Sequence, residues 1–417
     1  MHMRPPIVFE VKGALVALYP METVQAVALE VQFRAGAWYE KGNNWGAMHL
    51  MEHLVHQGTA TLPDVYAKEL YKEDHGIYQN AYTSGGILGF ELNFPTVSLE
   101  AGLNLFSELA FHATLPEDRL EHEKSVISQE YRDKWSNPNS RYARVHDMNL
   151  FGDHHIYIRD GMGEIEFVNT VTRKDLLALQ KEFFVTNNMV LGLSGNFDVE
   201  KTKKLITKML SDAPHGVSHS YTPGEPQTKS LRAFHSEDVD RVSIDINYFM
   251  KGRDETTERE RVIQHIANYI LGRGGRSRIY KRLRNELGLV YSAGSSLVYR
   301  NKVSNFYMGM SVSPENALKA EEEIHTIFQV FLDKGATTDE FTRARNYINM
   351  RMLMAYDSPY SIAREMASDL FWDKEIKMPE EYIKMANSIT LKEINDSFTS
   401  LRGKDPIVSI MARNPLA

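Results

Sequence analysis

The chain has 417 residues, 42% of them hydrophobic and 25% charged, a composition typical of folded globular proteins rather than of disordered or fibrous ones. Its formal net charge of -7 argues against nucleic acid as a partner, because surfaces that bind phosphate backbones are usually basic. No cysteine is present, which excludes disulfides and thiolate metal ligands, so any zinc must be bound by histidine and carboxylate.

The amino terminus, MHMRPPIVFEVKG, lacks the apolar stretch of a secretory signal peptide. No run of about 18 apolar residues, the length that spans a membrane, occurs anywhere in the chain. The absence of cysteine also fits a reducing compartment. The sequence therefore predicts a cytoplasmic protein that has no membrane as a partner.

The first half of the chain predicts a strand, a helix, a second strand and two more helices. Apolar and more polar residues alternate over 27–33, the period-2 pattern of a half-buried strand. Good helix formers surround 49–53, and a second alternating segment covers 88–94. Helices are then predicted over 98–114 and 117–135.

The second half repeats this order of elements. Residues 242–248 alternate as 27–33 do, and 306–312 match the later strand. Near the end, Pro359 aligns with Pro138 at an offset of 221 residues (359 minus 138). The repetition predicts an α+β protein of two homologous domains, each a mainly antiparallel sheet packed by helices.

The boundary between the two domains is predicted from composition. A chain of this length is expected to divide into two domains. The stretch 216–229 is polar and carries proline and glycine, as linkers do. The predicted domains are therefore 1–215 and 230–417, joined by this linker.

The pattern His49-Leu50-Met51-Glu52-His53 carries the clearest chemical signal. Residues four apart on a helix point the same way, so both imidazoles could bind one zinc ion. The order reverses the His-Glu-x-x-His motif and is the inverted-zincin signature. Glu52 is poorly placed to bind the same ion, but it could hold a water molecule and take its proton as general base.

A catalytic zinc usually takes three protein ligands, so a third ligand must come from elsewhere in the chain. The helical segment 121–135 offers Glu121, Glu123 and Glu130, and the last two share a helix face because they lie seven apart. The residues alone leave the choice open. They also leave open that the histidines and Glu52 are polar residues on a solvated helix, since the pattern is short.

The second copy lacks this set of side chains. Three of its positions carry residues unsuited to a zinc site of this kind: Asn268, Tyr269 and Arg351 stand where the first copy has Glu52, His53 and Glu130. Only the first domain is therefore predicted to hold a metal.

With these residues the chain resembles the family of pitrilysin, insulin-degrading enzyme and mitochondrial processing peptidase, and in particular its short two-domain members. In that family a glutamate ligand follows the motif after 76 residues, and here 76 residues (54 to 129) separate His53 from Glu130. The resemblance implies that Glu130 is the third ligand. It also implies that Glu123 supports the site from behind the ligands.

The resemblance extends to residues that would bind substrate. The segment starting Asn80-Ala81 resembles the edge strand to which an extended substrate adds by β-augmentation. In the second half, Arg284 and Tyr291 have the family's Arg-x6-Tyr spacing. They are expected to grip the substrate carbonyl and to stabilise the oxyanion.

Together these features predict a zinc endopeptidase with one Zn2+ per chain that cleaves short or unstructured peptides, with zinc-bound water as nucleophile and Glu52 as general base. Long family members enclose the substrate between two halves, and this chain supplies one half. The resemblance therefore implies a homodimer whose sites are shared across subunits. The alternative is a non-catalytic scaffold or partner subunit of a heterodimeric peptidase.

Overall fold

The computed structural model describes residues 4–42 and 44–416. Residues 1–3, 43 and 417 lie outside the described residues, and these include the outer bounds, 1 and 417, of the two predicted domains. The strands share extended backbone and pair into two sheets: β1 (Ile7–Val11), β2 (Ala14–Pro20), β3 (Ala26–Phe33), β4 (Tyr78–Thr83), β5 (Leu88–Pro95), β6 (Met189–Gly195), β7 (Arg232–Ser236), β8 (Val242–Lys251), β9 (Val290–Val298), β10 (Val303–Val312) and β11 (Ile407–Ala412).

The α-helices lie between and after these strands: α1 (Ala47–Val55), α2 (Val65–His75), α3 (Leu99–Phe111), α4 (Glu117–Ser136), α5 (Pro138–Phe151), α6 (Ile165–Val168), α7 (Arg173–Phe183), α8 (Val199–Asp212), α9 (Glu258–Asn268), α10 (Ala317–Lys334), α11 (Thr338–Met354), α12 (Pro359–Trp372), α13 (Pro379–Ser388) and α14 (Leu391–Asp396). Two π-helical turns, Tyr269–Arg273 and Tyr280–Glu286, follow α9. Short 3-10 turns connect other elements: Thr96–Ser98, Ile156–Ile158, Thr186–Asn188, Arg253–Glu255, Pro314–Asn316 and Thr399–Leu401.

The two sheets share a five-strand topology, to which the first sheet adds β1 next to β2. The first has the order β1-β2-β6-β3-β5-β4, and the second has β7-β11-β8-β10-β9. In the first sheet only β2 and β6 pair in parallel, and in the second only β7 and β11 do. The predicted α+β class, with two related domains and mainly antiparallel sheets packed by helices, is confirmed.

The chain divides into two compact units, each assembled from separate segments. The first comprises the residues up to Lys134 with Arg159–Thr222 and Met354–Met378, and the second comprises Trp135–Ile158, Pro223–Leu353 and the residues from Pro379 onward. The predicted division into 1–215 and 230–417 assumed continuous domains. The structural units differ from it because α5 lies in the second unit and α12 in the first.

The first unit buries both faces of its sheet. One face forms the main core with α1, α3, α7 and α8. On the other face α12 packs on β2, β3 and β6 through Ile362, Met366 and Leu370. Glu30 and Gln32 of β3 are consequently 2% and 4% exposed, so the prediction of a half-buried strand over 27–33 is wrong. The sequence pattern could not reveal the covering helix, which is more than 300 residues away in the chain.

The second unit follows the same plan. Its main core joins β8 and β10 to α9, α10 and α14. The helix α5 contacts β7 and β11, and the buried Tyr142 hydroxyl donates to the carbonyl oxygen of Ser409 at 2.8 Å. Like α12, α5 is 14 residues long and begins with a proline after a polar cap. The predicted match of Pro138 with Pro359 therefore corresponds to two equivalent helices.

Candidate metal centre

A buried carboxylate fixes the start of α1, the helix that carries the two histidines. Glu40, 5% exposed, accepts hydrogen bonds from the backbone N–H groups of Gly46 at 2.9 Å and Met48 at 2.7 Å. Burial raises the pKa of Glu40 to about 7. Gly46 has a φ of 106°, a left-handed conformation that favours glycine. These contacts satisfy free N–H groups of the first helical turn.

The two faces of α1 have different roles. Its buried face packs into the core of the first unit through Ala47, Met48, Leu50, Met51, Leu54 and Val55. His49, Glu52 and His53 lie on the opposite, partly exposed face. The rings of His49 and His53 are 4.8 Å apart between centroids and nearly perpendicular, at 84°. The helical period thus brings both imidazoles together, as the sequence predicts.

The helix α4 brings a carboxylate to these rings. Oε2 of Glu130 lies 3.7 Å from Nε2 of His49 and 3.7 Å from Nε2 of His53. Three ligand atoms at about 2.1 Å from a tetrahedral zinc ion would be about 3.4 Å apart. Among residues 4–42 and 44–416, this is the only group of three His, Cys, Asp or Glu side chains with the spacing of a metal site. The residues therefore fit zinc.

Two features prepare the histidines as ligands. Nδ1 of His53 lies 2.9 Å from Oε2 of Glu123, which is 5% exposed, so Nε2 remains available for a metal. Burial, with His53 and Lys134 nearby, lowers the pKa of His49 to about 4, which keeps its ring neutral at neutral pH. Burial opposes a charge on His53 as well, but the hydrogen bond with Glu123 and the neighbouring carboxylates raise its pKa.

Glu52 is held beside the histidines by a residue that sequence reasoning did not identify. The Thr83 hydroxyl donates to Oε2 of Glu52 at 2.6 Å. Burial raises the pKa of Glu52, and this hydrogen bond partly opposes the increase. Thr83 belongs to the Asn80-to-Ser84 segment noted in the sequence, but only the folded sheet shows that it faces α1.

For the peptide hydrolysis that the sequence predicts, we expect Thr83→Val to lower kcat/KM about tenfold near neutral pH, since a hydrogen bond to a charged group is lost. Without the hydroxyl the charged form of Glu52 is less stable and the pKa of Glu52 rises further. A base works only above its pKa, so the acidic limb of the pH profile should move to higher pH. Thr170→Val removes an exposed hydroxyl bonded to Phe167 and should leave the profile unchanged.

The strand β4 forms one edge of the first sheet. It pairs only with β5, from Tyr78 opposite Asn93 to Thr83 opposite Leu88. Asn80 is exposed and Ala81 half-buried, next to α1 in this unit. Its other side therefore offers backbone groups that an extended peptide could pair with.

In the second unit, Arg284 and Tyr291 lie close together and are exposed. Arg284 donates from Nη1 to the carbonyl oxygen of Val290 at 2.9 Å, and its guanidinium lies 5.7 Å from the Tyr291 ring centroid. A second guanidinium, that of Arg241, lies 4.3 Å from the same ring. Arg241 had no sequence signal, because it directly precedes β8, far in the chain from the segment of Arg284 and Tyr291. Tyr291 is 61% exposed, so its hydroxyl is accessible.

The second unit has a different use for the positions that match Glu52 and His53. Asn268 is buried and its Oδ1 accepts a hydrogen bond from Ser295 at 2.6 Å. The Tyr269 ring stacks on Tyr347 at 4.2 Å. These contacts are structural. As for membranes, none of the helices in the described part of the chain combines the length and the apolar character needed to cross a bilayer.

Two family models match the chain over successive segments. The model described as Insulinase (Peptidase family M16) matches residues 15–154, which include the histidines, Glu52 and Glu130. The model described as the Peptidase M16 inactive domain matches residues 170–348. Together the two models cover well over half of the chain.

Related sequences match over nearly the full length. The chain is 20% identical to an uncharacterized zinc protease of Rickettsia felis, covering 97% of this chain and 96% of the relative. It is 22% identical to the mitochondrial-processing peptidase subunit beta of Caenorhabditis elegans, covering 87% and 80%. It is 21% identical to a Helicobacter pylori protein named non-peptidase homolog YmxG, covering 88% of this chain and 84% of the relative.

Solved structures share the fold. The crystal structure of a peptidase M16 inactive domain from Pseudomonas fluorescens superposes with a TM-score of 0.88 at 18% identity, covering 98% of both chains. The periplasmic protease PqqL from Escherichia coli superposes with a TM-score of 0.82 at 19% identity, over 98% of this chain and 48% of that one. From its sequence and its fold, the chain belongs to the M16 family of peptidases, the family of insulinase.

Proposed function

We propose that this chain is a zinc-dependent endopeptidase that hydrolyses peptide bonds in short or unstructured peptides. The observation that carries the proposal is the cluster of His49, His53 and Glu130 with Glu52 held beside it by Thr83. These three metal-binding side chains alone would also be consistent with a metal ion that only stabilises the fold. The adjacent half-buried carboxylate of Glu52, which is outside that group, favours catalysis.

The proposed zinc ligands are Nε2 of His49, Nε2 of His53 and Oε2 of Glu130, with one ion per chain. Glu123 holds the His53 ring through Nδ1 and thereby orients Nε2. Three protein ligands leave one coordination position for water or substrate, as in other catalytic zinc sites. When bound, zinc polarises a substrate carbonyl and lowers the pKa of a water molecule to about 7.

Glu52 is the proposed general base. One of its oxygens accepts the hydrogen bond from Thr83, so the other oxygen can take the proton of the attacking water. The same carboxyl then gives a proton to the leaving amine. Its raised pKa suits both steps, because a base is most effective when its pKa approaches the working pH.

The strand β4 is the proposed binding strand for substrate. Asn80 and Ala81 lie on it, and its free edge could add one more strand. A peptide must be extended to pair in this way, so folded proteins would be poor substrates. The neighbouring Thr83, at the end of the same strand, contacts Glu52, so a peptide paired with this strand would lie beside the proposed base.

We further propose a homodimer in which Arg284 and Tyr291 of one chain complete the site of the other. Arg284 would hold a substrate carbonyl and Tyr291 would donate to the oxyanion. Both side chains are exposed. The chain matches 48% of Escherichia coli PqqL, so that protein is about twice as long as this chain. Two copies of this chain would together equal it in length.

The second candidate is a non-catalytic scaffold or partner subunit. Two names among the relatives favour it: the non-peptidase homolog of Helicobacter pylori and a processing peptidase described as a subunit. Against it stand the four residues of the motif, all present and grouped in space. A scaffold would have no need for the hydrogen bond between Thr83 and Glu52.

A cytoplasmic location also stays a proposal. The relatives include a mitochondrial-processing peptidase subunit and a periplasmic protease, so the family is found in several compartments. Cell fractionation with an antibody against the chain, with compartment marker proteins as controls, distinguishes cytoplasm from other locations.

We expect the purified protein to cleave peptides from a mixed library of unstructured decapeptides, detected by mass spectrometry. A chelator should abolish the cleavage and added zinc should restore it, because the proposed reaction needs the ion to polarise the carbonyl and to lower the pKa of the attacking water. The absence of cleavage under both conditions would favour the scaffold function. Cleavage that is insensitive to the chelator would contradict a zinc enzyme.

The shared site predicts complementation between two inactive variants. Glu52→Gln and Arg284→Ala, carried by two differently tagged chains, should give a mixed dimer with one intact site and about half of the wild-type activity. Each homodimer should be impaired. If the residues of one site instead come from one chain, the mixed dimer should regain nothing beyond the Arg284→Ala background.

A further inference from the structure

A cavity of about 310 Å³ lies beside the metal centre in the first unit. It opens between α1, α2 and β4, next to the proposed zinc ligand His53. Its lining contains two lysines, two glutamates and several uncharged side chains: Glu52, His53, His56, Gln57, Lys68, Lys72, Gln79, Asn80, Ala81 and Glu123. The proposed mechanism gives no role to the lysines.

Lys68 and Lys72 lie four apart on α2 and therefore on the same helix face. Lys68 is only 7% exposed, although lysine is rarely buried without a full set of partners. Its ammonium donates to the carbonyl oxygen of His56 at 3.2 Å and lies 3.4 Å from Glu69. Lys72 pairs with the same Glu69 at 2.8 Å.

The two lysine ammonium groups at the cavity share one close carboxylate partner. One carboxylate, Glu69, serves two ammonium groups, and its side chain is 45% exposed. The two carboxylates of the lining are already engaged, Glu52 by Thr83 and Glu123 by His53. The buried Nε2 of Gln79 has no acceptor in the part of the chain that the structure describes. The two ammonium groups, with three N–H donors each, and the Gln79 amide thus offer hydrogen-bond donors to a ligand in the cavity.

The position of the cavity relates it to a bound peptide. Thr83 is the last residue of β4 and contacts Glu52, so this end of the strand lies nearest to the proposed base. Ala81 and Gln79 lie two and four residues before Thr83 on the same strand. Side chains on one face of a strand repeat about every 7 Å. A peptide paired with β4 would therefore direct a side chain near the cleaved bond toward the cavity.

We propose that this cavity binds an aspartate or glutamate side chain of the substrate, within two residues of the cleaved bond. The inference rests on the proposed peptidase function and specifies its substrate class. The carboxylate would accept from Lys68 and Lys72, and the volume suffices for either side chain. A lysine or arginine at the same substrate position would place a cation against a buried ammonium, which is disfavoured.

The test uses a pool of alanine- and serine-based decapeptides with four randomised central positions. Cleavage sites are mapped by mass spectrometry, and residue frequencies are counted on both sides of the cut. We expect Asp and Glu to exceed Lys and Arg about tenfold at one position within two residues of the cut, since hydrogen bonds to charged groups have this magnitude. Lys68→Met with Lys72→Met should remove this preference.

Matched variants control for loss of charge and for misfolding. Lys204 and Lys208 are exposed on α8, also four residues apart, so Lys204→Met with Lys208→Met makes the same charge change and should keep the acidic preference. Lys72→Glu alone changes the less buried of the two cavity lysines and should lower the preference for acidic residues. A wild-type enzyme without acidic enrichment, or a double methionine variant that retains it, overturns the proposal.

A binding experiment separates this inference from the proposed function. The same pool is passed over immobilised Glu52→Gln protein, and the retained peptides are identified. Retention of acidic peptides that depends on Lys68 and Lys72, together with a wild-type protein that cleaves nothing, supports the pocket and contradicts the peptidase function. Cleavage without acidic preference supports the function and overturns the pocket.

Discussion

Glu52→Gln is expected to lower kcat/KM for peptide hydrolysis by about 100- to 10,000-fold, the usual contribution of a general base. The amide keeps the size of the side chain but cannot take a proton. Zinc content should stay at the wild-type level, since Glu52 is outside the group of three ligands. Steady-state kinetics on one peptide and metal analysis of the same sample measure both quantities.

The matched control for this change is Glu121→Gln. Glu121 is 80% exposed on α4 and pairs with Lys124, so the same replacement there should leave kinetics and zinc content unchanged. A Glu52→Gln protein that cleaved at the wild-type rate would rule out the general-base role. Loss of zinc in that variant would instead assign Glu52 to metal binding.

The second large effect concerns zinc affinity, where Glu130→Gln and Glu123→Gln should differ in degree. Glu123 contacts His53 but no metal, and loss of such a supporting group typically weakens metal binding about 10- to 100-fold. Glu130→Gln removes a charged ligand, so its effect should be larger. Competition with a chromophoric zinc chelator measures both affinities against wild type.

Thermal unfolding of the zinc-free proteins is the control, because Glu123 is buried and Glu130 is 41% exposed in its side chain. Only Glu123→Gln should affect the stability of the zinc-free protein appreciably. An affinity loss in Glu123→Gln that exceeded the loss in Glu130→Gln would exchange the two roles. Unchanged affinity in both variants would mean that the zinc binds elsewhere.

Local elements of the fold could be predicted from the sequence because their signals are local. The alternation over 242–248 and 306–312 corresponds to β8 and β10, and the predicted helix around His49–His53 corresponds to α1. Which helices belong to which of the two units could not be predicted. An amphipathic pattern shows that α5 and α12 have an apolar face, but it does not show which sheet that face covers.

The metal group could be anticipated for two different reasons. His49 and His53 follow from the helical period, whereas Glu130 required a resemblance, because three acidic residues of the same segment were candidates. Contacts between distant segments had no comparable signal. Thr83 reaches Glu52 from a strand, and Lys68 of α2 lines one cavity with His53 of α1 and Glu123 of α4.

The central claim is that a zinc ion bound by His49, His53 and Glu130 makes this chain a peptidase. Its most direct test is a zinc titration of the chelator-treated protein, with kcat/KM measured for one unstructured peptide at each addition. We expect no activity without zinc and a linear increase that ends at one zinc ion per chain. Activity that persisted without zinc, or a fully zinc-loaded protein that cleaved no peptide, would contradict the claim.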